Sequence, residues 1–395
     1  MKVSIITMQF PSLYETFASN DIKTMKDLGI DVRVYGMKPQ SKDHIKLVKE
    51  RKLSNIKIDN NTIIKSILGI LIAISHPILL YKLVKYILFT KQNHLMNYFK
   101  LLLLLPSSFY IFNKIKQDPP KIVHLYWGHY PALVGLLIKE SKLDIKVTIF
   151  LGAYDLEYDL GITRTLVSIC DKVFTHSKGN KKLLLSRYDI NNDKVIVFYR
   201  GVDLDKFSQE PQAKEKNSFT TVGRLIKAKG QDDVILAFSK IIKMIPDATL
   251  KIIGSGPNEL SLKKQVQTLG ISNAVTFLGH LSHNEVIDYL NKSDYFLYMS
   301  TYEGDRLPNV IKEAMVTKNI CIVTKTKDIE ELVIDKENGF LVNYNEPDEV
   351  VKIVREIKDN IKFQNTIRDN AYKKICNDFN IKVSIQKIIN VWRSL

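Results

Sequence analysis

Short apolar runs alternate with amphipathic stretches through the first half of the chain. Apolar runs with the length of buried strands occur at residues 2–7, 31–35, 121–126, 147–150, 172–174 and 195–198. Helical patterns separate several of them, at residues 20–28, 131–140 and 178–187. Strands that alternate with helices are typical of a parallel sheet covered by helices. The pattern therefore predicts a doubly wound α/β domain.

The pattern stops at residues 204–217, which are polar, charged and non-periodic, and it then restarts. The new apolar runs are residues 219–222, 249–253, 275–277, 295–299 and 320–323, and helical patterns follow them. Such a break is typical of a linker between domains. We predict a first domain over residues 1–203, a linker over 204–217 and a second doubly wound domain over 218–380. The amphipathic tail, residues 381–395, is predicted to pack on the first domain.

Residues 63–112 depart from this alternation because they are apolar over several short segments. The apolar segments are residues 66–75, 78–89 and 101–105. Each is shorter than the roughly 20 residues that a spanning helix needs. Two interpretations stay open. The segments are helices packed on the outside of the first domain, or they form a basic, apolar surface that lies in a membrane interface.

Composition narrows the class of protein and of partner. The 395 residues carry a formal net charge of +16, which favours phosphorylated substrates, acidic lipid surfaces or nucleic acid. Interleaved basic and aromatic runs are sparse, so nucleic acid is not expected. The three cysteines are widely spaced and indicate a reducing compartment rather than a disulfide framework. Residues 2–7 are interpreted as a first strand, not a signal peptide.

Residues 300–315 combine acids, a proline and a helix start directly after an apolar run. Glu303 and Asp305 precede Pro308, and Glu313 follows it. In open α/β sheets ligands bind where strands end, and the first amides of a helix attract anions. Asp305 and Glu313 are interpreted either as a general acid/base pair or as acceptors for sugar or ribose hydroxyls. Glu303 is interpreted as a structural acid.

Residues 222–230 are a second strand-to-helix loop, and this loop is basic. Gly223 permits a sharp turn, Arg224 can grip phosphate oxygens with two hydrogen bonds, and Lys229 adds a positive charge. The later sequence Gly-Ser-Gly-Pro, with Gly254 and Gly256, lacks the third glycine of a dinucleotide fingerprint. It is interpreted as a tight turn beside a ligand.

Two histidines, His124 and His129, lie at the end of the strand predicted at residues 121–126. A metal site would require a third ligand at a suitable spacing, and the sequence shows none there, so no metal is predicted. For each histidine, a structural role and a substrate contact stay open.

Together these motifs resemble glycosyltransferase family 4, whose members are retaining and metal-independent and have the GT-B fold. Residues 223–230 resemble the motif G-R-L-x-x-x-K-G, residues 303–315 the acidic E-x7-E signature, and residues 200–207 the motif N-G-V-D-x-x-x-F. Residues 10–17 resemble the P-x-x-S-E-T-F loop of members that build exopolysaccharide, colanic-acid-type and lipopolysaccharide chains. The resemblance implies two Rossmann-like domains that face a cleft, with a C-terminal helix crossing back to the first domain.

The resemblance also implies roles for individual residues. The residues implied in catalysis are Arg224 and Lys229 on the donor diphosphate, Asp305 on the donor sugar and Glu313 on the ribose. The further donor-binding residues are Gly223, Gly254, Gly256, His280, Leu281, Arg306, Leu307, Pro308 and Asn309. The residues implied on the acceptor side are Glu15, Thr16, His129 and Asp155.

The sequence departs from the family pattern in four ways. Asp305 replaces the first glutamate of E-x7-E, and Arg306 stands where glycine is usual, which hints at an unusual or charged donor. Lys327 and Asp328 replace a Gly-Gly pair. The family's histidine is missing from residues 151–155, and whether His129 replaces it stays open.

The resemblance implies a retaining transferase, hexosyl or related, without a cofactor. It would move sugar from a UDP- or GDP-sugar to a saccharide or lipid-linked saccharide in surface polysaccharide synthesis. With the basic, apolar region 63–112, we expect a cytoplasmic protein, peripheral on the anionic inner face of the cytoplasmic membrane. The alternatives are a GT-B nucleotide-sugar epimerase and a non-enzymatic membrane-surface module.

Overall fold

The computed structural model describes residues 1–13, 15–158, 160–207, 213–302 and 304–395. The chain divides into two units. Unit 1 consists of Met1–Arg200 with Ile381–Leu395, and unit 2 consists of Gly201–Asn380. Each unit has its own parallel sheet and its own hydrophobic core. The predicted doubly wound α/β architecture is confirmed.

Seven strands form the sheet of unit 1. They are β1 (Lys2–Thr7), β2 (Asp31–Gly36), β3 (Lys57–Asn60), β4 (Ile122–Leu125), β5 (Lys146–Phe150), β6 (Lys172–Thr175) and β7 (Val195–Val197). Their order is β3-β2-β1-β4-β5-β6-β7, and every pairing is parallel. The chain builds outward from β1 in one direction and then returns to build outward from β4. The strand order therefore reverses between β1 and β4, where open α/β sheets bind ligands.

Ten helices of the first 200 residues connect these strands. They are α1 (Thr16–Asp27), α2 (His44–Glu50), α3 (Ile63–Ser75), α4 (Pro77–Phe89), α5 (Leu95–Leu103), α6 (Leu105–Gln117), α7 (Ala132–Glu140), α8 (Ala153–Tyr158), α9 (Gly161–Ile169) and α10 (Lys178–Tyr188). The five inner strands of unit 1 are largely buried, as is usual when helices cover both faces of a parallel sheet, whereas the edge strands β3 and β7 are partly exposed.

The segment between β3 and β4 folds as the four helices α3 to α6. The Thr62 side chain caps α3 by accepting from the Lys65 amide at 3.3 Å. Pro77 begins α4, where its missing N–H costs nothing. Among the described residues, no single helix is long and apolar enough to cross a membrane. The pairs α3–α4 and α5–α6 meet that requirement only when the two helices of a pair are counted together. The two helices of each pair are bent relative to each other, by 104° and 43° respectively.

Unit 2 repeats the same kind of topology with six strands. They are β8 (Ser218–Val222), β9 (Thr249–Ile253), β10 (Val275–Gly279), β11 (Tyr295–Tyr298), β12 (Ile320–Thr324) and β13 (Phe340–Val342). The helices are α11 (Gln231–Ile241), α12 (Glu259–Thr268), α13 (His283–Lys292), α14 (Asn309–Val316), α15 (Pro347–Ile357) and α16 (Ile361–Asp378). The order β10-β9-β8-β11-β12-β13 reverses between β8 and β11.

The last helix, α17 (Ile381–Arg393), leaves unit 2 and packs on unit 1. It lies against α1, and its Trp392 is fully buried. The Trp392 indole N–H donates to the Thr148 hydroxyl at 3.1 Å. This is the helix crossing back to the first domain that the fold class predicted.

The predicted linker is only partly separate from the second unit. Residues 213–217 pack on unit 2, where the Glu215 amide donates to the Lys292 carbonyl at 2.8 Å. The Lys214 ammonium donates to the Leu290 and Thr317 carbonyls at 3.1 and 2.7 Å. The boundary between the units falls after Arg200, three residues before the predicted one. Residues 208–212 of the predicted linker lie outside the described residues.

Candidate active site

One basic loop and one acidic loop were singled out in the sequence. They lie side by side in unit 2, where the strand order reverses. Residues 223–230 follow β8, and residues 299–308 follow β11, the strand beside it. The Thr301 amide donates to the Ala228 carbonyl at 2.9 Å, so the loops are hydrogen-bonded directly. Because parallel strands end at one edge of a sheet, residues 76 positions apart become neighbours here.

Lys229 and Asp305 are the centre of this meeting. Their side chains form an ion pair that is largely buried. The same carboxylate oxygen accepts from the Tyr298 hydroxyl at 2.7 Å and from the Ser300 hydroxyl at 2.6 Å. Lys229 also donates to the Tyr298 oxygen at 3.0 Å. Lys229, Asp305 and Tyr298 are thus hydrogen-bonded to one another in a closed ring, and Asp305 holds Lys229 in place.

Tyr298 keeps its proton within this network. Burial and the neighbouring Asp305 carboxylate raise the pKa of Tyr298. A neutral phenol donates to Asp305 and accepts from Lys229, which leaves the lysine charge intact. Tyr298 was not predicted as a site residue because it lies within an apolar run.

Arg224 differs from Lys229 in having no fixed partner. Its side chain is exposed and makes no hydrogen bond or ion pair with the residues that the structure describes. Its backbone is fixed, since its carbonyl accepts from the Gln231 side-chain amide at 3.1 Å. A guanidinium on an anchored loop, free of an internal acid, is well suited to bind an anion.

Gly254 and Gly256 shape the same edge from β9. Gly254 has a φ of +136°, and an added Cβ would lie 1.9 Å from the Gly223 carbonyl oxygen. A Cβ on Gly256 would lie 2.4 Å from the Leu225 carbonyl oxygen. Both glycines therefore allow this turn to approach the Arg224 loop closely. The interpretation as a tight turn fits this geometry, and a contact with a ligand stays a prediction.

The first amides of α14 have no side-chain cap among the residues that the structure describes. Pro308 is extended, at φ −60° and ψ 136°, and helical geometry begins at Asn309. Leu307 is buried and anchors the loop beneath it. Uncapped first amides and the helix dipole attract negative charge to such a position.

Glu313, on the first turns of α14, has a partner that the sequence analysis did not predict. Its carboxylate lies 3.0 Å from His283 Nε2, at the start of α13. The Glu313 side chain is only 14% exposed, whereas that of His283 is 46% exposed. His280 is exposed and Leu281 is half-buried on the loop that leads into α13. These positions stay predictions for the base and the ribose.

Arg306 and Asp328 form a buried ion pair. Arg306 Nη1 and Asp328 Oδ2 lie 2.9 Å apart, and the two side chains are 6% and 10% exposed. These are two of the positions that depart from the family pattern, and each supplies the charge that the other needs. The pairing leaves Arg306 without a surplus charge to offer a charged donor. Glu303, interpreted above as a structural acid, lies outside the described residues.

In unit 1, Glu15 lies directly before α1, at the end of the loop after β1. Its carboxylate accepts from the Trp127 indole N–H at 3.1 Å. Burial raises the pKa of Glu15, although the Trp127 hydrogen bond and the charges of His129, Arg200 and Arg51 oppose the rise. Thr16 is the exposed first residue of α1.

His129 and Asp155 are brought together from the loops after β4 and β5. His129 Nδ1 lies 3.1 Å from one oxygen of Asp155. That oxygen also accepts from the Gly128 amide at 2.9 Å, and the other accepts from the Gly152 amide at 3.0 Å. Asp155 is buried and joins the two loops. The geometry supports a structural role for Asp155 and leaves a substrate contact of His129 as a prediction.

Two further residues complete the description of unit 1. His124 is buried in the core, with Nδ1 2.9 Å from the Thr148 hydroxyl, and burial lowers the pKa of His124 to about 3. Of its two open interpretations, the structural role fits. The Arg200 guanidinium lies 3.9 Å from the centroid of the Phe17 ring and 4.2 Å from that of Phe150. The sequence analysis had not assigned Arg200 to this place.

Among the described residues, no group of three or more histidine, cysteine or acidic side chains is arranged to hold a metal ion.

Two family models together match most of the chain. A model described as "Glycosyltransferase Family 4" matches residues 15–206, and one described as "Glycosyl transferases group 1" matches residues 203–374. The first match ends and the second begins close to the boundary between the two units.

Individual proteins similar to this chain are also glycosyltransferases. An uncharacterized glycosyltransferase of Methanocaldococcus jannaschii is 25% identical over 293 residues, which are 72% of this chain and 71% of that protein. The UDP-Gal:α-D-GlcNAc-diphosphoundecaprenol α-1,3-galactosyltransferase of Escherichia coli is 31% identical over 227 residues. That alignment covers 54% of this chain and 57% of the relative.

The crystal structure of Anabaena HepE in complex with UDP matches the whole chain, with a TM-score of 0.74 and 16% identity. The match covers 100% of both chains. At this identity the likeness shows the fold alone, which is the expected GT-B fold.

Proposed function

This chain belongs to glycosyltransferase family 4, and we propose that it is a retaining transferase that uses a nucleotide-diphosphate sugar. The acceptor is a saccharide or a lipid-linked saccharide of a surface polysaccharide. The name of the Escherichia coli relative, which includes a diphosphoundecaprenol acceptor, supports the lipid-linked class. The UDP-Gal donor in the name of the same relative supports UDP as the nucleotide, with GDP as the alternative.

The observation that carries this proposal is the set of anion-binding groups at the strand reversal of unit 2. Arg224 has no internal acid among the described residues, Lys229 is held nearby by Asp305, and the start of α14 is uncapped. All three lie on loops that leave the neighbouring strands β8 and β11. A diphosphate presents several negative oxygens and would engage the three groups together.

In the proposed reaction, the bond between the anomeric carbon and the diphosphate oxygen breaks, and its electron pair stays on the leaving diphosphate. Arg224, Lys229 and the α14 amides stabilise this developing charge, and they are oriented before the reaction begins. The acceptor hydroxyl attacks the anomeric carbon on the same face and gives its proton to an oxygen of the departing phosphate. An α-linked donor therefore gives an α-linked product, without a covalent intermediate on the protein.

The carboxylates have separate tasks in this proposal. Glu313 accepts hydrogen bonds from the ribose hydroxyls, and His283 orients its carboxylate. Asp305 is shared between Lys229 and the hydroxyls Tyr298 and Ser300. We therefore assign Asp305 first to positioning Lys229, and only one of its oxygens stays available for the donor sugar.

The acceptor residues are proposed in unit 1. Glu15 and His129 lie on the loops that leave β1 and β4, the strands at its reversal of order. Trp127, on the loop after β4, is half-buried and donates to Glu15, and we assign the exposed part of its ring to contact with a sugar of the acceptor. Thr16 adds an exposed hydroxyl for hydrogen bonding.

Incubation with a panel of UDP- and GDP-sugars tests the proposal, with and without a lipid-linked saccharide acceptor. We expect nucleoside diphosphate to be released at an appreciable rate only when the acceptor is present, and a chelator to leave that rate unchanged. Isomerisation of the sugar without an acceptor would indicate an epimerase. No reaction with any donor across a set of lipid-linked and free saccharides would favour a non-enzymatic module.

A further inference from the structure

On the surface of a soluble protein, a helix usually buries its large apolar side chains. Helix α3 does the opposite: it buries small residues and exposes large apolar ones. Its buried residues are the small Gly69 and Ala73. Its large side chains are exposed, including Ile63, Ile64 and Leu71, at 79%, 71% and 60%. The small face is needed for packing, because a Cβ on Gly69 would lie 1.9 Å from the Pro106 carbonyl oxygen at the start of α6. The large apolar side chains are therefore left pointing outward.

Helix α5 shows the same reversal, and α4 adds to it. Helix α5 buries Leu101 together with the polar Asn97, whose side-chain oxygen accepts from the Tyr130 hydroxyl at 3.2 Å, while Phe99 and Leu103 are exposed. In α4, Ile78 and Phe89 are exposed. We call the exposed large hydrophobic side chains of α3, α4 and α5 the apolar face. It contains sixteen of the 27 such side chains found exposed among the described residues.

Unit 2 has no such concentration among its described residues. Its exposed large hydrophobic side chains, such as Leu260 and Ile361, are spread over α12, α16 and several loops. Scattered apolar side chains of this kind are normal on protein surfaces, whereas a continuous group marks an interaction site. The apolar face is thus a specific feature of unit 1.

The segment that carries the apolar face has positively charged side chains and no negatively charged ones. Residues 61–117 contain seven lysines and no aspartate or glutamate. Lys82 pairs with Glu140, and Lys65 pairs with Asp59. The exposed Lys85, Lys91 and Lys100 form no ion pair with any described residue. An apolar surface bordered by unpaired lysines complements an anionic lipid surface.

We propose that the apolar face docks on an anionic lipid bilayer and lies in its interface. The helices are too short to cross singly, and the bends of 104° and 43° suit a layer that rests on the bilayer. Pairing with a second copy is disfavoured by charge. A two-fold contact would bring this acid-free, lysine-bearing segment against itself. The inference goes beyond the transfer reaction and does not rest on it.

Flotation of the full-length protein with vesicles tests the docking without measuring activity. We expect binding to vesicles of phosphatidylcholine with phosphatidylglycerol, and far weaker binding to phosphatidylcholine alone. The variant I64S/L71S should lower the partition coefficient by roughly tenfold for each side chain removed. Its matched control is L260S/I361S, which removes two exposed side chains of unit 2 and should bind as the wild type does.

A charge variant gives an independent test should I64S/L71S fold poorly. K85Q/K91Q/K100Q should weaken binding to the anionic vesicles by about fivefold per lysine, whereas K264Q/K352Q/K362Q, with the same net charge, should have a smaller effect. Equal binding of wild type to both vesicle types, or equal loss in both lysine variants, would contradict the proposal. A dimer that I64S/L71S dissociates, without vesicle binding by the wild type, would show instead that two copies meet here.

Discussion

The two sheets reverse their strand order in the same way, yet the side chains at the two reversals differ in charge and in use. In unit 2 the loop after β8 carries Arg224 and Lys229, and the loop after β11 leads into a helix start that no described side chain caps. In unit 1 the loops after β1 and β4 carry Glu15 and His129, with Trp127 between them. Topology thus provides a ligand position twice, and the loop residues decide which chemistry it suits.

The two reversals also differ in whether their charged side chains already have hydrogen-bond partners. Asp155 in unit 1 uses both carboxylate oxygens on backbone amides, so it holds two loops together. In unit 2 the exposed Arg224 has no such engagement with a described residue, and it is available for an anion. We therefore assign the diphosphate to unit 2 and the hydroxyl-bearing acceptor to unit 1.

The largest expected effect is that of Arg224→Ala. Loss of one preorganised donor to a developing negative charge typically lowers turnover by about 10²–10³-fold. Steady-state transfer assays measure the change, and circular dichroism checks that the variant is folded. The matched control is Lys227→Ala, which removes an exposed cation from the same loop. Equal rates for the two variants would remove Arg224 from the reaction.

Asp155→Asn should reduce stability rather than turnover alone. The new amide group cannot accept from both the Gly128 and Gly152 amides, so one buried donor loses its partner. We expect a loss of about 1–3 kcal/mol in the free energy of unfolding, measured by urea denaturation. The exposed Asp144→Asn serves as the control and should change little. A wild-type unfolding curve for Asp155→Asn would show that the carboxylate does not join these loops.

Tyr298→Phe tests the network that holds Lys229. The ring is kept, but one hydrogen bond to Asp305 and one from Lys229 are lost. We expect kcat to fall by about three- to tenfold with little change in the KM of the donor. A substantial rise in donor KM at unchanged kcat would instead indicate that Tyr298 contributes to ground-state binding.

The smallest effect concerns Glu15 and the pH dependence of stability. Because burial raises the pKa of Glu15 above its ordinary 4.5, the folded state holds this proton more tightly than the unfolded state. Stability is therefore lost as pH rises from 4.5 through the folded pKa, and it does not return above it. Glu15→Gln removes this penalty, so its gain in melting temperature should be larger at pH 7 than at pH 4. The reverse order would contradict the raised pKa.

The fold was largely predictable because each apolar run was long enough to mark a strand. The strand predicted at residues 295–299 is β11, and the helix predicted at 309–317 is α14. Strand β3 was not predicted because only one of its four residues is apolar, and strand β13, a run of three apolar residues, was also not predicted. Lys214 was assigned to a linker because its neighbours are charged, whereas its side chain bonds to carbonyls distant in the sequence.

Several residues of the candidate site were singled out from the sequence, but their pairings were not predicted. Lys229 and Asp305 were each singled out, yet a contact across 76 residues has no local signal. His283 was missed because a histidine at a helix start does not indicate which carboxylate lies opposite. Arg306 and Asp328 stood out in the sequence as separate departures, and only the fold shows that they neutralise each other.

The central claim is that the diphosphate binds where the strand order reverses in unit 2 and not where it reverses in unit 1. Calorimetric titration of UDP and of GDP tests this claim most directly. The proteins compared are the wild type, Arg224→Ala and His129→Ala. We predict that Arg224→Ala weakens the affinity for the nucleotide by about tenfold or more, since a hydrogen bond to a charged group contributes roughly 1.5–3 kcal/mol. His129→Ala should bind as the wild type does. Unchanged affinity in Arg224→Ala together with lost binding in His129→Ala would place the diphosphate in unit 1 and contradict the account.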